Sequence, residues 1–291
     1  MTTAVYETSQ IKRRKRSTKA EVEERREALL DIIKAGRPMT VRQVFYQATV
    51  RGLVEKAESG YAKVQNDLTL MRRAGDLPYD WLADNTRWQR KPRTFNGVEE
   101  ALKATAAFYR KNLWADADCY VEIWLEKDAL AGVLLPVTAM FDVPLMVARG
   151  YASLSFLYGA AEAISTLDVP TYIYHLGDFD PSGVDAGNKI EETLRELAPD
   201  AEIYFERIAV TQEQIAEWNL PTRPTKKSDT RSKSFGSTIS VELDAIDPNA
   251  LRNLVQETIE QHLPADQFEI LKAAEESERE IITRLVGRVT S

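Results

Sequence analysis

The stretch His-Leu-Gly-Asp-Phe-Asp-Pro-Ser-Gly, His175 to Gly183, sets two carboxylates, Asp178 and Asp180, between an apolar run and a helix-like segment. Carboxylates this close repel one another and call for a counter-charge. With Glu126, which follows the apolar run Cys119 to Leu125, they offer several hard oxygens around one point. Such donors suit Mg²⁺, with Mn²⁺ as a substitute, because Mg²⁺ takes one or two protein carboxylates together with water and substrate phosphate. A cation held there turns repulsion of a phosphodiester into attraction and stabilises charge in the transition state. The plainer reading of the same residues is a turn, with Asp180 ahead of Pro181 and Asp178 capping the next helix.

The elements that position these acids are legible in the periodicity. From Asn96 onward, apolar runs at Cys119–Leu125, Pro144–Ala148, Thr171–Leu176 and Ala201–Val210 alternate with helical patterns. This order predicts an α/β fold with a mostly parallel, Rossmann-like sheet and crossover helices. Sheets of this kind take ligands at the carboxyl ends of their strands. Glu126 closes the first run, Arg149 and Gly150 the second, and Asp178 and Asp180 follow the third, so one sheet edge gathers them. Arg149 is the phosphate-binding candidate there. A helix is expected from Asn96 to Leu113, capped by Asn96 and Glu99. His175 reads as a hydrogen-bonded core histidine, and His262 as a surface or dipole-facing residue near a helix end. The helices after Pro248 and Pro264 cover the sheet or join a dimer.

Residues 21–95 have another texture. Thr18 with Glu21 predicts a capping box and a helix ending at Gly36. Thr40 with Gln43 predicts a second helix stopped by Gly52, and Tyr61–Ala74 a third stopped by Gly75. Short helices with tight connections fit a winged-helix DNA-binding module or a plain three-helix bundle. In the first case Lys63, Gln65, Asn66, Arg72 and Arg73 sit on or near the groove-facing helix. On the second helix, Val41, Val44, Phe45 and Ala48 make the apolar stripe, and Tyr46 lies roughly 140° from its centre. Phe45 is therefore expected in the core and Tyr46 toward solvent or a partner, with Arg42 one turn before it. A guanidinium so placed favours phenolate and holds phosphate bidentately. The alternative role for Tyr46 is that of an interface tyrosine.

With 291 residues the chain is long enough for two domains, 21–95 and 96–291, behind a basic tail at 1–20. A net charge of −7, from 45 acidic and 38 basic residues, argues against a polyanion partner only if it is spread evenly. It is not: basic runs at Lys12–Lys19, Arg87–Arg93 and Arg223–Ser234 point toward nucleic acid, against the reading of plain solvated surface. One cysteine, Cys119, and two histidines leave no intrachain disulfide, thiolate zinc cluster or histidine-rich metal site. No apolar run approaches the roughly 18 residues of a membrane helix. The N-terminal stretch lacks an export-signal core. The expectation is a cytoplasmic, nucleoid-associated protein with no membrane partner.

The acid-bearing segments resemble those of a known family. Trp-Leu-Glu-Lys-Asp-Ala-Leu around Glu126 resembles the strand-end glutamate motif of a Toprim domain, in the form used by topoisomerase VI A subunits. Met146 to Ser153 is similar to that family's second motif, and Leu176 to Gly183 to its Asp-x-Asp-Pro-x-Gly motif, in the family's order. Val41 to Gln47 resembles the Arg-Asp-x-Tyr-Tyr motif of its winged-helix domain. The family includes the initiator of meiotic double-strand breaks, and the resemblance spans roughly Thr40 to Ile208. Gln43 and Phe45 replace the motif's Asp and first Tyr, and Ala148-Arg149-Gly150-Tyr151-Ala152-Ser153 lacks the second motif's Lys, Pro and Asp.

The resemblance implies a Mg²⁺-dependent DNA-cleaving homodimer in which a tyrosine attacks a phosphodiester and becomes linked to the 5′ end. It gives Tyr46 as nucleophile, Arg42 as the motif arginine and Glu126 as the acid-base glutamate. Glu126, Asp178 and Asp180 would hold the metal. Ser240 to Ile246 resembles a C-terminal motif in which Glu242 supports the site, against the reading of Glu242 as a surface acid. ATP-coupled strand passage would need a separate ATPase partner. Two alternatives stand beside this: a Toprim-type nuclease acting by hydrolysis, and a DNA-binding protein without catalysis.

Overall fold

A computed structural model describes residues 18–83, 93–225, 231, 235–263 and 265–289. Most of the three basic runs lies outside these residues. The first helix, α1 (Lys19–Gly36), opens on the expected capping box of Thr18 and Glu21. The second, α2 (Val41–Val50), opens on that of Thr40 and Gln43. The third, α3 (Glu58–Ala74), ends at Gly75 in the left-handed conformation and begins three residues before the expected Tyr61. Gly60 permits that early start, since a Cβ there would lie 2.1 Å from the Glu55 carbonyl oxygen. Leu29, Ile33, Val44, Phe45, Val64, Leu68 and Met71 are buried where these helices meet. After α3 the chain passes through a 3₁₀ turn (Tyr79–Trp81), and Met39 and Leu82 form an isolated parallel bridge.

The next helix, α4 (Val98–Phe108), is shorter than its pattern suggests. Gly97 occupies the cap position, while Asn96 donates from its backbone and side-chain amides to Glu100 Oε2 at 2.7 and 2.8 Å. The Asn96–Glu99 cap is thus corrected, because Glu100 is the acid that reaches back.

Four parallel strands follow: β1 (Tyr120–Leu125), β2 (Leu145–Val147), β3 (Thr171–Leu176) and β4 (Ile203–Ala209), in the order β2-β1-β3-β4. The crossovers are α5 (Ala131–Met140), α6 (Leu154–Ser165) and α7 (Pro181–Leu197). Val121 to Leu125 of β1 are all buried, as a parallel strand covered on both faces requires. Trp124 and Ile173 pack among Leu157, Ile164, Ile190 and Leu194 of α6 and α7. Ile123, Leu125 and Leu176 belong to the larger core, which also takes in α5 and the three N-terminal helices. Beyond β4 come α8 (Gln212–Glu217), a short antiparallel pair of β5 (Arg223–Pro224) and β6 (Ile239–Ser240), and a 3₁₀ turn (Leu243–Ala245). In α9 (Pro248–Glu260), Leu251, Val255 and Ile259 are buried, and the helix packs on α5. The last, α10 (Ala265–Val289), packs on α4. No described helix is long and apolar enough to cross a membrane.

Candidate active site

The loops at the carboxyl ends of β1, β2 and β3 meet as expected. Glu126 donates its N–H to the Leu176 carbonyl at 2.9 Å, and its Oε2 accepts the Asp178 N–H at 2.8 Å. The side chain therefore clasps the loop after β3. Gly177 and Gly183 make room for that clasp: a Cβ on either would lie 2.6 or 3.0 Å from Glu126 Oε2. Asp180 Oδ1 accepts the Gly183 N–H at 2.9 Å and caps α7, with Pro181 in the first turn. Asp180 rather than Asp178 is thus the helix cap, and Asp178 is left to the cluster.

A second segment brings two more acids. Phe179 and Val241 exchange backbone hydrogen bonds of 2.8 and 2.9 Å, which docks residues 240–244 on the loop after β3. The Leu243 N–H donates to Asp178 Oδ1 at 2.8 Å. Glu242 is therefore no ordinary surface acid: its side chain is 11% exposed and lies in the cluster. Asp244, two residues on, is buried there as well and accepts a hydrogen bond from Thr40 Oγ1 at 3.1 Å. Sequence reasoning passed over Asp244, although the Glu-x-Asp spacing in Val241–Ala245 was the available signal.

Four cations face these acids. Arg207 of β4 donates to the carbonyls of Gly177, Asp178, Gly183 and Val210. Lys127 Nζ lies 2.8 Å from Asp244 Oδ2, 2.9 Å from Asp178 Oδ1 and 3.5 Å from Glu242 Oε2. Arg42 reaches Glu242 Oε2 at 2.9 Å, and Arg223 joins Asp180 Oδ2 at 3.2 Å to Glu242 Oε1 at 3.1 Å. Burial, and then the neighbouring Asp178, hold the Glu126 carboxyl above its ordinary range. Burial also pushes Asp178 up, against the pull of Lys127. For Glu242, Lys127, Arg42 and Arg223 together outweigh burial and hold the carboxyl below its ordinary range.

A cleft of about 620 Å³ opens between this edge and the N-terminal helices. Its lining includes Arg42, Tyr61, Arg72, Lys127, Asp178 and Asp244. Tyr61, on the first turn of α3, lies with its ring 5.1 Å below the Arg42 guanidinium and edge-on to Phe45. Tyr46 is not where the stripe of α2 put it. It is 6% exposed, packed on Phe45, and its phenol is pushed up to about 12 by burial and then Glu242. Phe45 packs against its ring and the Lys56 ammonium lies 5.8 Å from the ring centroid, so the residue is enclosed by protein rather than by solvent. Of the other basic candidates, Arg72 lines the cleft, while Lys63 and Arg73 are exposed on α3 without lining it. Arg149 sits at the expected strand end but pairs with Asp128 at 3.2 Å.

The two histidines are corrected as well. His175 is buried as expected, yet neither ring nitrogen has a partner among the described residues; it stacks on Phe205 and lies against Gly177 and Gly187. Burial, and then Arg207, bring it down to about 3. His262 is the hydrogen-bonded one, with Tyr174 Oη 2.6 Å from Nε2 and Cys119 Sγ 3.5 Å from Nδ1.

Among the described residues no three acid, cysteine or histidine side chains already converge on a common ion position. The donors are nevertheless right in kind for a hard divalent cation, since all are carboxylate oxygens. A stand-in cation, the Lys127 ammonium, lies among them. No protein-family model matches the chain, and no curated protein matches it.

Proposed function

We propose that this chain cleaves double-stranded DNA with a divalent cation, as a topoisomerase VI A-type protein with a winged-helix-like module at residues 21–95 and a Toprim-like domain at 96–291. The observation that carries this reading is the cleft: Arg42, Arg72 and Lys127 open onto the same volume as Asp178, Glu242 and Asp244. The order of the motifs, and the gathering of Glu126, Asp178 and Asp180 on one sheet edge, support it. A homodimer, a separate ATPase partner and a nucleoid-associated location in the cytoplasm belong to the same reading.

Glu126, Asp178 and Asp180 would hold Mg²⁺ or Mn²⁺. An ion held by these carboxylates would supply positive charge to offset that developing on a phosphoryl group. Arg42 and Arg72 draw the phosphodiester to the cleft wall, where a guanidinium orients phosphate by paired hydrogen bonds. Glu126, held above the ordinary carboxylate range, is suited to take a proton from the attacking group and return one to the leaving oxygen. In the tyrosine route a phenolic oxygen bonds to phosphorus and the bond to the 3′ oxygen breaks. The phenol's proton passes to a carboxylate, and the 3′ oxygen takes up a proton.

Motif match makes Tyr46 the nucleophile, whereas the cleft is lined by Tyr61. The burial of Tyr46 favours a second reading, hydrolysis by water with no protein adduct. Denaturing capture of end-labelled duplex with Mg²⁺ or Mn²⁺ separates these. The expected result is a 5′-linked adduct that vanishes in one of Tyr46→Phe or Tyr61→Phe and in Asp178→Asn. Cleavage without adduct in all of the tyrosine variants and the wild type would replace the tyrosine route by hydrolysis. No cleavage under any metal or partner condition would leave DNA binding alone.

A further inference from the structure

Lys127 occupies an unusual place. Its side chain is 22% exposed and its ammonium has carboxylate oxygens of Asp244, Asp178 and Glu242 within 2.8, 2.9 and 3.5 Å. An ammonium has three donors, so these acids satisfy it. The residue directly follows Glu126, whose backbone is bonded to the end of β3, so the root of the side chain is fixed. The four-carbon stem is not, and it borders the cleft. Asp178 Oδ1 is shared between Lys127 and the Leu243 N–H, so a metal reaching this oxygen must compete with the ammonium.

We propose that Lys127 is a displaceable internal counter-ion: it holds Asp178, Glu242 and Asp244 together in the metal-free chain and leaves Asp178 when a divalent cation takes that carboxylate. This rests on the metal reading of Asp178. Five acids, Glu126, Asp178, Asp180, Glu242 and Asp244, face four cations, Lys127, Arg42, Arg207 and Arg223, a formal balance of 4 − 5 = −1. A divalent ion that takes Asp178 Oδ1 competes with the cation bonded to that oxygen, and that cation is the lysine. The released ammonium swings into the cleft, where it meets phosphate. Metal and polyanion then bind with positive coupling, because each favours the arrangement in which Lys127 has left Asp178.

Mn²⁺ alone is the probe, followed by calorimetry and by the loss of free-ion spin-resonance signal, on wild type, Lys127→Met, Lys127→Gln and Asp178→Asn. Lys127→Met, which keeps the stem and removes the charge, should bind Mn²⁺ at least about tenfold more tightly than wild type. Adding Asp178→Asn should abolish the gain. Thermal melts check folding, and Lys127→Gln, which keeps a donor for the acids, decides the matter if Lys127→Met does not fold. Wild-type binding that is lost in Asp178→Asn but not strengthened by either lysine variant would overturn the counter-ion role and leave the metal site standing. No Mn²⁺ binding in any variant, or binding indifferent to Asp178→Asn, would overturn the metal reading and the proposal together.

Discussion

Arg207 and Lys127 are two cations set against one acidic edge, and they hold it in opposite ways. Arg207 directs its guanidinium to main-chain carbonyls: Gly177 and Asp178 before α7, Gly183 in its first turn, and Val210 after β4. It contributes charge to Glu126, Asp178 and Asp180 without a hydrogen bond to any of their carboxylate oxygens. Lys127 does the reverse, with an ammonium bonded to carboxylates alone. A planar fork fixed to backbone shapes the loop, whereas a point charge on a flexible stem neutralises side chains and can be exchanged for another cation. The difference separates a rigid wall of the site from a responsive one.

The most severe way to break this contrast is to remove the rigid wall. Arg207→Ala removes the side-chain donor from four loop carbonyls and takes a half-buried counter-charge from the acids, so a loss of about 3–5 kcal/mol is expected in urea unfolding. Arg207→Lys should recover little of it, since one ammonium cannot reach carbonyls on both sides of the loop. Full recovery by lysine would mean that Arg207 acts by charge alone and would dissolve the distinction from Lys127.

His175 sharpens the comparison through pH. The imidazole lies on the Arg207 side, buried and unpartnered, and is neutral down to about pH 3 in the folded chain. Unfolded, it takes a proton below about pH 6.5. A depressed folded value means that its stability is complete above about pH 6.5 and is lost as pH falls toward 3. The slope is about 1.4 kcal/mol per pH unit, or on the order of 1–3 kcal/mol between pH 6.5 and 4.5. His175→Met should flatten the unfolding free energy over this range relative to wild type. Lys127→Met should leave the His175 effect intact, because Arg207 rather than Lys127 is the charge acting on that ring. Parallel pH profiles for wild type and His175→Met would show that the imidazole is solvated and not sealed behind Arg207.

Much of this architecture was legible because it is local or periodic. The capping boxes at Thr18 and Thr40 are fixed by residues three apart, and the four apolar runs could form only crossover-connected strands, which places Glu126 beside Asp178. What covers an element was not legible. Tyr46 lies away from the core stripe of α2, yet it is buried in the core beside Phe45. Arg207 hides in the alternation of β4 as an ordinary outward-facing charge, and only the path of the loop after β3 reveals what it binds. The histidines exchanged roles for the same reason: hydrogen bonding depends on partners such as Tyr174 and Cys119 that sequence spacing does not bring near His262.

The smallest expected effect tests where the responsive wall ends. Arg42 meets Glu242 at 2.9 Å with a side chain 44% exposed, and its guanidinium lies over Tyr61. An exposed ion pair contributes about 0.2–1 kcal/mol and is screened by salt. Arg42→Ala should therefore cost about 1 kcal/mol or less in urea unfolding at low salt, and less still at high salt. The charge matters more to a ligand than to the fold, because it opens onto the cleft. If DNA enters there, the same substitution should reduce the dependence of log affinity on log salt by about one phosphate contact while leaving the melting temperature nearly unchanged. A loss of several kcal/mol that persists at high salt would instead place Arg42 with Arg207 among the groups that build the cleft. A small loss with an unaltered salt slope would keep Arg42 on the responsive wall but take the phosphate path away from α2.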